Sequence, residues 1–94
     1  MLTRICGIPF TVIEQEAQFG TETQRFGECD VMSATIKLNS KCSQEQKDAT
    51  LVHEWIHAVA GCNGTSQNED IISVIATELY RQGFRVKIEG EAHE

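Results

Sequence analysis

The chain has 94 residues, of which 40% are hydrophobic and 23% are charged, and its formal net charge is −6. A chain of this length buries one modest hydrophobic core, so we expect a single domain. The acidic balance and the lack of a basic run argue against a protein that binds nucleic acid or an anionic membrane surface. The sequence has neither a long apolar stretch nor a typical signal peptide, which predicts a cytoplasmic protein with reduced cysteines.

The N-terminal part of the chain is predicted to be β-structure. Arg4–Cys6 and Ile8–Glu14 indicate two short strands, the second with apolar residues in alternation. The polar stretch Gln15–Phe26 predicts a surface connection, and the β-branched segment Ala34–Leu38 indicates a third strand. Near the C-terminus, Phe84–Ile88 has the composition of a further short strand.

Two helices are predicted between these strands. Ser43 and Gln46 have the spacing of a capping box, and the apolar stripe that follows is expected to end at Gly61 in the left-handed conformation. The second helix has two candidate caps, Ser66 and Asn68, and is followed by a helical apolar pattern.

These elements predict an α+β fold in which a small sheet of three or four strands packs on two antiparallel helices. The sheet region covers residues 1–38, and the helical hairpin covers residues 43–83, with its second helix ending near Gly83. The short loop between the helices makes them antiparallel neighbours. We expect residues 89–94 to form a flexible tail.

The first helix carries the motif HEWIH, which is typical of a metal site. His53 and His57 are four residues apart, so their imidazoles project from one helix face, one turn apart, and can bind one zinc ion. Glu54 lies about 100° around the helix from His53, where its carboxylate can reach a water molecule that the metal activates. Two of the chain's three histidines fall at this spacing, which favours a metal site over a chance pair of solvated histidines.

A catalytic zinc site needs a third protein ligand. Glu69 is the best candidate, because the hairpin brings the first turn of the second helix level with His57. Asp70 points about 100° away from Glu69. Alternatively, Glu69 stabilises the helix start with Ser66. Other candidate ligands are the thiols of Cys29 and Cys62.

The motif HEWIH followed by NEDIISVIATELY resembles the gluzincin pattern, in which a second helix opens with Asn-Glu and its Glu completes the zinc site. The order of a hairpin around CGIPFTV, the segment FGECDVMSATIKL and the H-E-x-x-H helix is similar to that of short zinc-metallopeptidase-like proteins of phages and prophages. Those are relatives of the ImmA/IrrE-type and SprT-like peptidases. The resemblance spans Arg4–Gln82 and implies a minimal zincin-like domain. In it, His53, His57 and Glu69 would bind Zn2+, and Glu54 would be the general base of peptide-bond hydrolysis.

The resemblance also implies roles for other residues. Ser73 stands where a carboxylate often orients a ligand histidine. Tyr80, Arg85 and His93 are the candidate replacements for an oxyanion donor that larger members carry in a further subdomain, and the alternative for each is a surface or packing residue. An extended peptide substrate would pair along an edge strand. That strand would consist of Ala34, Thr35, Ile36, Lys37 and Leu38. The alternative is that this strand only closes the edge of the sheet and binds no substrate.

Three classes of function therefore remain open. The first is a zinc metallopeptidase, a monomer or a weak dimer, that acts on a peptide or protein and on neither nucleic acid nor membrane. The second is a non-catalytic, zinc-stabilised phage regulator or host-protein-binding module, which the small size and the missing oxyanion donor favour. The third is a metal-free interaction domain with an acidic surface.

Overall fold

The computed structural model describes residues 1–16 and 26–89 and confirms the α+β fold. The described residues form four strands and two helices. In chain order these are β1 (Leu2–Ile5), β2 (Ile8–Gln15), β3 (Gly27–Asp30), β4 (Thr35–Asn39), α1 (Gln44–Cys62) and α2 (Glu69–Arg81). Most of the predicted surface connection Gln15–Phe26 lies outside the described residues.

The four strands form one mixed sheet in the order β1-β2-β4-β3. A two-residue turn joins β1 to β2, and both of its residues, Cys6 and Gly7, have positive φ, as the tightest hairpins require. β2 runs parallel to β4, with Val12 opposite Ile36, whereas β3 runs antiparallel to β4. β4 therefore lies inside the described sheet, and β3 lies at its edge.

The hydrophobic core lies between the sheet and α1. Alternate residues of β2 and β4 face inward, so Phe10, Val12 and Ile36 are at most 1% exposed. Ile8 continues the same alternation in sequence but is 43% exposed, because it lies beside the β1–β2 turn. Among the described elements, α2 packs against α1 and not against the sheet. Only one of the two predicted helices therefore covers the sheet.

α1 begins as predicted and ends differently. The Ser43 hydroxyl accepts a hydrogen bond from the backbone of Gln46 at 3.1 Å, but the Gln46 side chain bonds to Thr50 instead of returning to Ser43. The prediction that Gly61 ends the helix in the left-handed conformation is wrong, since Gly64 takes the positive φ of 67°. Gly61 lies inside the helix, at a position where a Cβ would be 2.8 Å from Cγ2 of Val31.

α2 begins after Asn68, whose side chain accepts a hydrogen bond from the Ile71 backbone at 3.0 Å. Asn68 is thus the cap, and Ser66 is not. The helix ends at Arg81, shortly before Gly83, as predicted.

The segment after α2 is not the strand that its composition predicts. Phe84–Ile88 has no regular secondary structure, and the next residue, Glu89, forms an isolated bridge with Leu2. Glu89 also pairs with Arg4 at 3.0 Å, so the predicted flexible tail begins at a residue that contacts β1. Residues 90–94 lie outside the described part of the chain. The fourth strand is instead β3, which the sequence pattern did not indicate.

Neither of the described helices, α1 or α2, combines the length and the hydropathy that a membrane span requires.

Candidate metal centre

The two histidines of the HEWIH motif project side by side from α1. The ring centroids of His53 and His57 are 4.9 Å apart, which is the arrangement expected for residues one helical turn apart. Their side chains are 22% and 20% exposed, respectively. They are therefore packed well enough to be held in place and open enough to be reached from solvent.

Glu69 lies between these two histidines. The loop after α1 reverses the chain, so the first residue of α2 faces the middle of α1. One carboxylate oxygen lies 2.9 Å from Nε2 of His53, and the other lies 2.8 Å from Nε2 of His57. The three ligand atoms lie within 4.8 Å of one another, so this group can hold a metal ion.

A residue that the sequence did not single out orients His57. The side-chain oxygen of Gln67 lies 2.7 Å from Nδ1 of His57, and the Gln67 amide nitrogen donates to the His57 carbonyl oxygen at 3.2 Å. The second bond fixes which end of the amide faces the ring, and an amide oxygen can only accept. Nδ1 of His57 must therefore carry a proton and donate it to Gln67.

This assignment leaves Nε2 of His57 facing a carboxylate oxygen. In a neutral imidazole with its proton on Nδ1, Nε2 is an acceptor, and the Glu69 oxygen 2.8 Å away is also an acceptor. Two acceptors at that distance repel each other unless a positive charge lies between them. A metal ion bound to both atoms can supply that charge.

Ser73 is hydrogen-bonded to the carboxylate of Glu69 and not to a histidine ring. Its hydroxyl donates to Oε2 of Glu69 at 3.0 Å, one helical turn along α2. The prediction that Ser73 orients a histidine ring is therefore wrong. Gln67 orients the ring instead, because the loop before α2, and not α2 itself, passes over His57.

Burial and neighbouring groups shift the pKa values of His53 and Glu69. Burial lowers the pKa of His53 below its ordinary 6.5, and His57 adds to this shift, whereas the carboxylate of Glu69 opposes it. For Glu69, burial raises the pKa, but hydrogen bonds with Ser73 and His57 and the charges of both histidines together hold it below 4.5. The lowered pKa values favour a neutral imidazole and an ionised carboxylate, which are the forms that bind metals.

Glu54 lies in the wall of the same cleft as the histidines. It is only 6% exposed, whereas the side chain of Glu69 is 62% exposed. The charge of Glu54 also acts on Cys29, since burial and Glu54, together with Asp30 and Cys62, raise the pKa of the Cys29 thiol to about 12. The cleft that holds His53 and His57 includes Glu54 and Cys29 in its lining.

The other candidate ligands are not part of the group. Among the described residues, the only cluster of three or more histidine, cysteine or carboxylate ligand atoms consists of His53, His57 and Glu69. Cys29, Cys62 and Asp70 therefore contribute no ligand atom to this cluster, although Cys29 lines the same cleft.

Tyr80 lines the same cleft but is held away from the histidines. Its hydroxyl donates to the backbone oxygen of Glu45 at 3.4 Å, and its ring lies 3.9 Å from the Arg85 guanidinium. Tyr80 is eleven residues beyond Glu69 in α2, about 16 Å along the helix axis. Arg85 donates to backbone oxygens of Tyr80 and Phe84. Neither side chain serves as an oxyanion donor in this arrangement, and His93 lies outside the described residues.

The predicted substrate strand is not at the sheet edge. Thr35, Ile36, Lys37 and Leu38 lie in β4, which pairs with β2 on one side and with β3 on the other, and Ala34 precedes it. β3 is the edge strand, and Gly27, Cys29 and Asp30 line the cleft beside the histidines. A strand that can take up an extended peptide next to α1 is therefore β3.

Comparison with known proteins does not add to this picture. No protein-family model, no curated protein and no solved structure matches the chain. The chain has a compact α+β fold in which two histidines and a glutamate can hold a metal ion.

Proposed function

We propose that this chain is a zinc-dependent peptidase of the minimal zincin type, with Glu54 as its general base. The observation that carries the proposal is the convergence of three ligand side chains, with one histidine ring fixed by Gln67 so that Nε2 is the atom that faces the ion. The resemblance of the HEWIH and NEDIISVIATELY segments to the gluzincin pattern supports it.

The donor set suits zinc. Two imidazole nitrogens and one carboxylate oxygen are a common ligand set of catalytic zinc sites, which keep a fourth position for water or substrate. The partly exposed histidines and the open cleft in front of them are compatible with that fourth position. When bound, zinc would lower the pKa of a water molecule towards about 7 and polarise the substrate carbonyl.

The residues of the chain would perform the remaining steps. Gln67 would keep the His57 ring in the binding orientation, and Ser73 would keep the Glu69 carboxylate turned towards the histidines. Glu54, in the wall of the cleft, would accept a proton from the attacking water and pass it to the leaving amine. Because Glu54 is buried, bulk water would not compete for that proton.

β3 would align the substrate. Its outer edge is unpaired among the described strands, and the strand lies in the wall of the cleft that holds the histidines. An extended peptide could add to this edge by main-chain hydrogen bonds, which places a peptide bond alongside the candidate metal centre. We place this activity in the cytoplasm, in agreement with four free thiols.

The test separates metal binding from hydrolysis. Purified chain is loaded with zinc, the bound metal is counted, and cleavage of a library of unstructured peptides is followed by mass spectrometry. Glu54→Gln should keep about one zinc per chain and lose cleavage by roughly 10²–10⁴-fold, the usual contribution of a general base. Glu78→Gln is the matched control, since Glu78 is exposed on α2 and bonds only to Gln82 in the described structure. Full activity in Glu54→Gln would refute the proposed role of Glu54.

A second candidate is the non-catalytic, zinc-stabilised regulator or host-protein-binding module. The observation that favours it is the hydroxyl of Tyr80, which bonds to the α1 backbone and is not directed at the candidate metal centre as an oxyanion donor. In that case zinc would raise the melting temperature, yet no peptide would be cleaved by the wild-type chain. The metal-free interaction domain predicts no change of melting temperature with either zinc or a chelator.

A further inference from the structure

Two cysteine thiols meet at the end of α1, away from the candidate metal centre. Cys62, the last residue of α1, lies near Cys6 in the β1–β2 turn, and burial together with the Cys6 thiol raises the pKa of the Cys62 thiol. The side-chain amide of Asn63 also donates to the sulfur of Cys6, at 3.5 Å. Both cysteines are free, Cys6 is exposed, and Cys62 is half-buried. Two free thiols from distant parts of the sequence thus lie in the same region of the fold.

The backbone of Cys6 adds a second observation. Its φ is +55°, in the left-handed region, at the first position of a two-residue hairpin turn. Asn, Asp or Gly is usual there, because other side chains are strained at positive φ. The hairpin itself gains nothing from a cysteine at this position, whereas the contact with Cys62 depends on it.

We propose that Cys6 and Cys62 are a redox pair that forms a reversible disulfide when the protein meets a peroxide. The bond would tie the β1–β2 turn to the C-terminal end of α1. The proposal needs neither a bound metal nor peptidase activity, so it stands or falls independently of the function proposed above.

The chemistry balances with hydrogen peroxide as the oxidant. The exposed Cys6 gives up its thiol proton, and its sulfur attacks one peroxide oxygen, which breaks the O–O bond and forms a sulfenic acid. The hydroxide released takes up that proton to become water. The Cys62 sulfur then attacks the sulfenic sulfur, so that an S–S bond forms and the S–O bond breaks. The departing hydroxide leaves with the Cys62 proton as a second water. Two thiols are oxidised, and one peroxide is reduced to two waters.

The other two cysteines are less suited to this reaction. Burial and the charges of Glu54 and Asp30 raise the pKa of Cys29 to about 12, so its sulfur stays protonated and is a poor nucleophile. Cys42 lies beyond β4, in the turn that leads to α1. Cys62, in contrast, lies near Cys6, whose sulfur also accepts a hydrogen bond from the neighbouring Asn63.

Peptide mapping can identify the pair directly, because trypsin separates all four cysteines. Cleavage after Lys and Arg places Cys6 in residues 5–25, Cys29 in residues 26–37, Cys42 in residues 42–47 and Cys62 in residues 48–81. The full chain is treated with a slight excess of hydrogen peroxide, alkylated, digested without reductant and examined by mass spectrometry. We expect residues 5–25 linked to residues 48–81, and release of both by dithiothreitol. A link from residues 26–37 to residues 48–81, or no link at all, would overturn the proposal.

Three variants and a melting curve complete the test. Cys6→Ser and Cys62→Ser should abolish the link, whereas Cys42→Ser, the matched control, should retain it. Oxidation should raise the melting temperature of the wild type and of Cys42→Ser by on the order of 10 °C, since the bond closes a long loop. It should leave the melting temperature of Cys6→Ser unchanged. A link that forms without this rise would contradict the claim that it ties the turn to α1.

Discussion

Gln67 holds His57 at two points. Its side-chain oxygen accepts from Nδ1 of the ring at 2.7 Å, and its amide nitrogen donates to the His57 carbonyl oxygen at 3.2 Å. The pair of bonds fixes both the tautomer and the orientation of the ring, and it leaves Nε2 directed at Glu69. A loop residue thus orients the ring of a helix residue in the candidate metal centre.

Removal of this support should weaken metal binding without abolishing it. We expect Gln67→Leu to lower the zinc affinity by roughly 10–100-fold, as is usual when the hydrogen bond behind a ligand histidine is lost. Competition titration with a zinc-sensitive dye measures the change. Gln44→Leu is the control, because Gln44 is exposed and bonds to Asp48 at the start of α1, far along the helix from His57. Equal affinity of Gln67→Leu and the wild type would show that the ring needs no such support.

Removal of the Glu69 carboxylate should lower the zinc affinity more than removal of the Gln67 side-chain amide. Glu69→Gln keeps the size of the side chain but removes the charged ligand that faces both histidines. We expect its zinc affinity to fall by more than the roughly 10–100-fold that the loss of a supporting bond costs.

Asp70→Asn provides the matched control for that experiment. Asp70 follows Glu69 in the same exposed first turn of α2, so both changes remove one negative charge from the same helix terminus. Its zinc affinity should stay close to that of the wild type. A similar fall in both variants would mean that the general negative charge, and not the position of Glu69, attracts the ion.

The metal-free chain should lose stability as the pH falls through the range in which histidine titrates. The pKa of His53 in the folded chain lies below 6.5, chiefly because of burial, so below about pH 6.5 the unfolded chain binds more protons. The contribution of His53 to stability is therefore complete above pH 6.5 and declines as the pH falls towards its folded pKa. Urea unfolding measured between pH 8 and pH 5 should show this decline.

His53→Gln isolates the contribution of that residue. Without an imidazole at position 53, the slope of stability against pH should be smaller between pH 6.5 and pH 5. The pKa of Glu69, which is lowered, adds a further loss only below its unfolded value of 4.5, outside this range. An unchanged slope in His53→Gln would mean that burial does not shift this histidine.

A side chain added at Gly61 should disturb the packing at the end of α1. A Cβ at this position would lie 2.8 Å from Cγ2 of Val31 and 3.2 Å from Nε2 of Gln67. We expect Gly61→Ala to destabilise the chain by roughly 1–3 kcal/mol through overpacking, in spite of the better helix propensity of alanine. Denaturant unfolding measures the change. In a Val31→Ala background, Gly61→Ala should lower the free energy of unfolding by less. An equal loss in both backgrounds would mean that the contact with Val31 is not the source of the overpacking.

The parts of the structure that the sequence predicts are those set by local spacing. The interval between His53 and His57 places both rings on one face of any helix. The loop between the helices is short, so α2 must return alongside α1. The position of Glu69 follows from these two constraints. Asn68, as a cap, then fixes where α2 begins.

The features that the sequence does not predict depend on tertiary contacts. Gly27–Asp30 contains a glycine and two acidic residues, a composition that is unfavourable for a strand, and becomes β3 only because β4 is there to pair with it. Gly27 lies so close to the Lys37 backbone and to Thr50 that a Cβ would be 2.8 Å from each. Similarly, the conformation of the loop, and not any spacing, brings Gln67 to His57.

X-ray absorption at the zinc edge tests the central claim most directly. The account predicts a first shell of light atoms only, at about 2.0–2.2 Å, with an imidazole signature that corresponds to two histidines. In Glu69→Gln one oxygen of that shell should be lost or replaced by solvent. A sulfur atom at about 2.3 Å, or zinc bound with no histidine signature, would contradict the assignment of His53, His57 and Glu69 as the metal centre.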